Sequence, residues 1–286
     1  MAFFNKLSKI TLQLSILFLI FESYAQSSKP FVLGVTEEFH SEILAENRVL
    51  NIYLPEGYNT NDTITYPVIY LLDGSANEDF IHVVGLIQYN NLEWIDRVPK
   101  SIVVGIANID RRRDFSFPTT IVEDKTNYPN TGKSGKFIDF IEKELQPFVE
   151  KKYRTNKSKT IIGQSLGGLL ATEILLSHPR LFNRYIIISP SIWWDNGSIL
   201  NKKSEIMKAD FSQATYIYIG VGKEGLSPGK NPRVMEVDAN LLNNKLKKSQ
   251  SKNVHVYFDY LPNENHATIT HQAVFNALIL LYPKKK

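Results

Sequence analysis

Thr160-Ile161-Ile162-Gly163-Gln164-Ser165-Leu166-Gly167-Gly168-Leu169-Leu170 is the stretch on which the reading of this chain turns. Thr160–Ile162 is a short apolar run of strand type, and Leu166–Ser177 reads as a helix. Between them stands Gly163-Gln164-Ser165-Leu166-Gly167. A serine on so sharp a strand-to-helix bend is held in a strained conformation that lifts its hydroxyl above the sheet. Glycines on either side leave the room that side chains would fill. The helix start beneath supplies free N–H groups and partial positive charge. The glycine–serine pattern alone is common in turns that pack a helix on a strand. Its strand–turn–helix setting makes Ser165 the candidate nucleophile of a nucleophile elbow.

Short and almost wholly apolar runs recur at Pro67–Leu72, Ser101–Ala107, Tyr185–Ser189 and Thr215–Gly220. Such runs suit strands buried on both faces, as in a parallel sheet. Val254–Tyr260 alternates more and reads as the last strand, while Glu37–Leu44 and Arg48–Leu54 read as an antiparallel N-terminal pair. Helical spacing marks Gly135–Lys152, Val234–Lys248 and Thr268–Tyr282; Pro147 should kink or end the first of these. Strands alternating with helices of this length imply an α/β fold, a mostly parallel twisted sheet with helices on both faces. Arg111–Thr131 and Ile192–Phe211 are long and irregular, the kind of insertion that shapes the mouth of a site.

The 286 residues are 43% apolar and 22% charged, which excludes a disordered or fibrous chain. Cys is absent, so disulfides, thiolate metal sites and a Cys nucleophile are excluded. Lys6 and Lys9, less Glu22, near the start and Lys284–Lys286 at the end carry the net charge of +4, leaving the body close to neutral. No basic stripe points to nucleic acid. Met1–Ala25 reads as an export signal: Lys6 and Lys9, the apolar run Ile10–Phe21, then Ser23-Tyr24-Ala25 with small residues where a peptidase cuts. The expectation is a periplasmic or secreted protein with one domain, residues 26–286, and no membrane contact once the leader is gone. No His pair has metal-ligand spacing and no phosphate-cradling loop is present, so neither metal nor cofactor is expected.

A serine hydroxyl needs a base to take its proton. In this kind of sheet the chain order is Ser, acid, His. Of the four histidines after Ser165, His178 ends the helix that the elbow begins, His255 lies inside the last strand and His271 falls a helical turn too late. His266, in the polar turn Pro262–Ala267 just after that strand, is the candidate base. The acid should follow Thr215–Gly220; Glu224, Glu236 and Asp238 all qualify, and spacing alone favours Glu224. The oxyanion donors should be the N–H of Leu166 and one from the turn Leu72-Asp73-Gly74-Ser75, which points to Ser75. His82, downstream of that turn, is a secondary neighbour of the site.

Tyr70-Leu71-Leu72-Asp73-Gly74, Ile102-Val103-Val104-Gly105-Ile106, Arg113-Asp114, the elbow and Ser189-Pro190-Ser191-Ile192-Trp193-Trp194 occur in this order. Together they resemble the putative esterase family of α/β-hydrolases, the esterase D-like group, and within it the IroE-like bacterial siderophore esterases. The resemblance covers roughly residues 35–282. It implies the α/β-hydrolase fold and hydrolysis of a small-molecule ester through Ser165 and His266, without metal or cofactor. Mycolyltransferases of the same superfamily place their acid after a long loop, and Glu224–Arg233 is such a loop. The resemblance therefore moves the first choice of acid to Asp238, with Glu224 as the alternative and a Ser–His dyad still open. It supports Ser75 as an oxyanion donor. Trp193, Trp194 and Arg113 are the candidate pocket residues, and Arg111 and Arg112 are surface or anion-greeting positions. Siderophore lactones and acylated sugars both fit this machinery, as does transfer of the acyl group to an alcohol. A binding module that kept the fold without catalysis is the reading of a different class.

Overall fold

The computed structural model describes residues 28–229 and 231–282, so the expected export signal at Met1–Ala25 lies outside the described residues. Residues 1–32 and 33–286 separate into two units, and the fold is that of the second. Its strands are β1 (Val35–Ser41), β2 (Glu46–Tyr53), β3 (Tyr66–Leu71), β4 (Ile102–Ile106), β5 (Thr155–Gln164), β6 (Arg184–Ile188), β7 (Thr215–Gly222) and β8 (Val254–Leu261). They form one sheet in the order β1-β2-β4-β3-β5-β6-β7-β8. The β1–β2 and β2–β4 pairs are antiparallel and all the others parallel. The expected α/β-hydrolase architecture, with its antiparallel N-terminal pair, is what the chain adopts.

Each apolar run alternates between two buried faces, which is why no polar face shows in the sequence. Val68 and Tyr70 of β3 join one core; Ile69 and Leu71 join the other. The first core is roofed by Ser134–Lys152, by α6 (Leu166–Ser177) and by α7 (Met235–Leu246). The second is roofed by α1 (Phe80–Asn90) and α8 (Ile269–Leu281). Short helices α2 (Arg111–Phe115) and α3 (Val122–Asn127) lie in the first irregular insertion.

One expectation needs correction. Pro147 does not break its helix. The chain runs through α4 (Ser134–Phe140), a π-helical turn Ile141–Leu145 and α5 (Gln146–Lys152). Pro147 falls at the start of α5, where its missing N–H follows the widened turn. No sequence expectation covered α1, a helix that the β-branched residues Ile81, Val83 and Val84 obscure. It buries Phe80, Val83, Val84 and Ile87 on one helical face.

Candidate active site

Ser165 joins β5 to α6 with φ +60° and ψ −119°, a conformation that L-residues rarely adopt. Strain of this kind persists only where the surroundings impose it. A Cβ on Gly163 would stand 2.3 Å from the Gly167 carbonyl oxygen, and one on Gly168 would stand 2.8 Å from that of Ile188. The bend is therefore closed to larger residues. Gly163→Ala should cost about 2 kcal/mol or more, read as a lower thermal midpoint; a melt superimposable on the parent's would contradict this account of the turn.

His266 hangs from the turn between β8 and α8. Its Nε2 lies 3.0 Å from Ser165 Oγ and its Nδ1 2.6 Å from Glu224 Oε2. The tautomer that serves both contacts carries its proton on Nδ1 and accepts the serine proton on Nε2. The amide of Gln164 donates to the His266 carbonyl at 2.8 Å, tying the imidazole's loop to the residue before the serine. Glu224 is held as tightly. Its Oε1 accepts from the Ser189 hydroxyl and, at 3.1 Å, from the Gly222 N–H. Burial alone would raise the Glu224 carboxyl. The hydrogen bonds from His266 and Ser189, the charge of His266 and the Gly222 N–H outweigh it and keep the group below the ordinary glutamate value. It faces the imidazole as a carboxylate.

The structure thus brings Ser165, His266 and Glu224 together and leaves the first-choice acid out. Asp238 is buried against Arg233, whose Nε donates at 2.9 Å and Nη2 at 2.5 Å. Arg233 also donates to the Asn196 carbonyl at 3.1 Å, so Asp238 pins the long loop to the Asp195–Gly197 segment. Glu236 plays a third part. Its carboxylate accepts from the N–H groups of Glu224 and Gly225, at 2.8 and 3.0 Å. Those bonds hold the backbone of Glu224, whose side chain faces the imidazole.

The turn that bears Ser75 lies beside the elbow. Leu72 N–H bonds the Ile162 carbonyl, and Gly74 N–H bonds the Ile106 carbonyl. Arg111 fastens the turn further. Its Nε and Nη2 grip Asp73 at 2.6 and 2.9 Å, and Nη2 reaches the Gln164 carbonyl at 3.2 Å. One guanidinium therefore spans the turn and the residue before Ser165. The N–H of Leu166, first in α6, belongs to the opening turn, whose donors have no partner within their own helix.

A cleft of about 470 Å³ opens beside Ser165 and Leu166. Trp193 and Trp194 wall it, as does Tyr128, with Arg111, Arg112 and Ser191 among its polar lining. The two indoles meet edge to face at 6.3 Å, and Trp194 Nε1 donates to the Phe117 carbonyl at 2.8 Å. Arg112 lays its guanidinium over the Tyr128 ring at 4.8 Å. Arg113, the expected pocket residue, is elsewhere. It bonds Glu46 and Asp114, and Asp114 in turn takes the fully buried Arg48. This network joins β2 to α2; the cleft receives the two arginines before it instead. Asp195, which sequence reasoning passed over, anchors the aromatic wall. Its buried carboxylate accepts from Thr119, Thr120 and Ser198 while its backbone sits at φ +49°. An aspartate followed by Asn-Gly is the turn signal that could have found it. His82 does not reach the cleft; it meets His271.

The family model described as "Putative esterase" matches residues 41–277 of the chain. Among curated proteins, the ferri-bacillibactin esterase BesA of Bacillus subtilis is 33% identical over 189 residues, which cover 62% of this chain and 65% of that protein. The aligned stretch thus spans just under two thirds of that relative's length. Among solved structures, an IroE-like serine hydrolase from Shewanella oneidensis superposes with a TM-score of 0.74 at 31% identity, covering 87% of this chain and 80% of that one. The BES protein from Bacillus cereus gives 0.73 at 26% identity, with 91% and 99% covered.

Proposed function

Because the chain belongs to the putative esterase family, we propose that it is a serine carboxylic-ester hydrolase working through Ser165, His266 and Glu224. The observation that carries this reading is the continuous relay from carboxylate to imidazole to hydroxyl, at 2.6 and 3.0 Å. His266 Nε2 takes the Ser165 proton as Oγ attacks the ester carbonyl. Glu224 holds the ring in the required tautomer and stabilises the imidazolium that forms. The N–H groups of Leu166 and Ser75 receive the oxyanion. Collapse expels the alcohol, which collects the proton from His266. Water, activated by the same imidazole, then frees the acid from the acyl-enzyme. Intact-mass analysis after a fluorophosphonate probe should show a single adduct on Ser165; a native protein that stays unlabelled would favour a binding module.

The reading extends to substrate. Siderophores present anionic oxygen donors on bulky, often aromatic groups, and the cleft offers aromatic walls and guanidinium groups. The relatives' own activities, with BesA named a ferri-bacillibactin esterase, support a siderophore-type ester. Arg112→Ala should then raise KM for an anionic catecholate ester about tenfold, the worth of one charge-assisted hydrogen bond. Turnover of neutral p-nitrophenyl acetate should stay within twofold. Equal loss on both substrates would sink the assignment of Arg112 to substrate charge. Export completes the proposal. N-terminal sequencing of the protein made in a bacterial host should begin near Gln26.

A further inference from the structure

His82 and His271 are the third residues of α1 and α8, two helices that share the second core. Both side chains are exposed, and they face one another outside the site described above. His271 Nδ1 lies 3.0 Å from His82 Nε2, and the ring centroids are 4.8 Å apart with the planes inclined at 44°. Two neutral imidazoles so placed share one inner proton. Partial burial and the neighbouring His271 push the His82 imidazole below its ordinary value.

We infer that His82 and His271 form a two-imidazole binding site for a late first-row divalent cation, Cu²⁺, Ni²⁺ or Zn²⁺. Metal–nitrogen bonds of about 2.0–2.1 Å, drawn from two nitrogens 3.0 Å apart, meet at about 90–97°. That is the angle between adjacent ligands in square-planar or octahedral coordination, the preference of Cu²⁺ and Ni²⁺ with imidazole. Binding moves the inner proton to the outer nitrogen of its own ring, so both inner lone pairs face the cation and no proton is released. Among the described residues no group of three or more His, Cys, Asp or Glu side chains is placed to hold a metal ion, so the pair supplies two protein ligands at most. Water therefore fills the other positions, and the cation exchanges with solvent.

The location gives the site a consequence. α1 follows directly on the turn that bears Ser75, and α8 on the turn that bears His266. A cation on the two imidazoles would staple these segments at the surface, without touching Ser165.

Calorimetric titration of the untagged full-length protein with NiCl2 and CuSO4 tests the site. The parent should bind one equivalent with a rise in thermal midpoint, and MgCl2 should do neither. His82→Gln and His271→Gln should each lose at least the 10–100-fold in affinity that even outer partners of a metal site are worth. Both side chains are exposed, so the metal-free melts of the variants should match the parent's. His266→Ala should bind as the parent does. Absence of binding by the parent, undiminished binding by either glutamine variant, or loss of binding in His266→Ala would each overturn the site.

Discussion

Ser165→Ala is expected to lower kcat/KM for p-nitrophenyl acetate at least about a thousandfold, since removing a nucleophile leaves only binding and oxyanion stabilisation. The loss should fall on kcat, because the cleft walls are untouched. Stability should not fall with it. Alanine at φ +60° is strained as serine is, and the Ser165 hydroxyl's partners, His266 and Ser191, both keep other bonds. A folded variant that retains activity within tenfold of the parent would remove Ser165 from the mechanism and, with it, the proposed function.

The second large effect separates two carboxylates that lie fourteen residues apart in the chain. Glu224→Gln should lower kcat by about 10²–10⁴, since an amide in the acid's place can favour the wrong imidazole tautomer and cannot stabilise the imidazolium. Asp238→Asn should leave kcat within about threefold. It should instead lower stability by about 1–3 kcal/mol, since it weakens the two bonds to Arg233 and leaves that guanidinium poorly compensated. The readouts are a kcat measurement and a denaturant melt on each variant. If Asp238→Asn were inactive and Glu224→Gln active, the acid would be Asp238 and the Glu224–His266 contact would have no part in turnover.

How far each part could be read from the chain depends on whether its cause is local. The sheet was legible because strands buried on both faces announce themselves as unbroken apolar runs, and the elbow because two glycines bracket a serine between strand and helix. The site lines up differently. The place of His266 follows from chain order, since the turn after the last strand opens at the same end of the sheet as the turn after β5. The acid does not follow in this way. Glu224, Glu236 and Asp238 occupy one loop and the start of one helix, and where each carboxylate ends up depends on which imidazole, N–H or guanidinium it meets after the loop folds. Arg233, five residues before Asp238, was the visible hint that Asp238 already had a partner. Arg113 shows the same limit. Its pairing with Glu46 depends on β2 lying against β4 and α2, a contact between segments 67 residues apart that no spacing within Arg111–Asp114 could disclose.

The serine stands 101 positions before the imidazole it is bonded to, and that imidazole follows the strand added last at the sheet's far edge. During synthesis the ribosome therefore releases the elbow long before His266. On the proposed mechanism, a nascent chain that stops short of residue 266 carries the hydroxyl but not the imidazole that would activate it, and esterolysis would wait on the turn after β8.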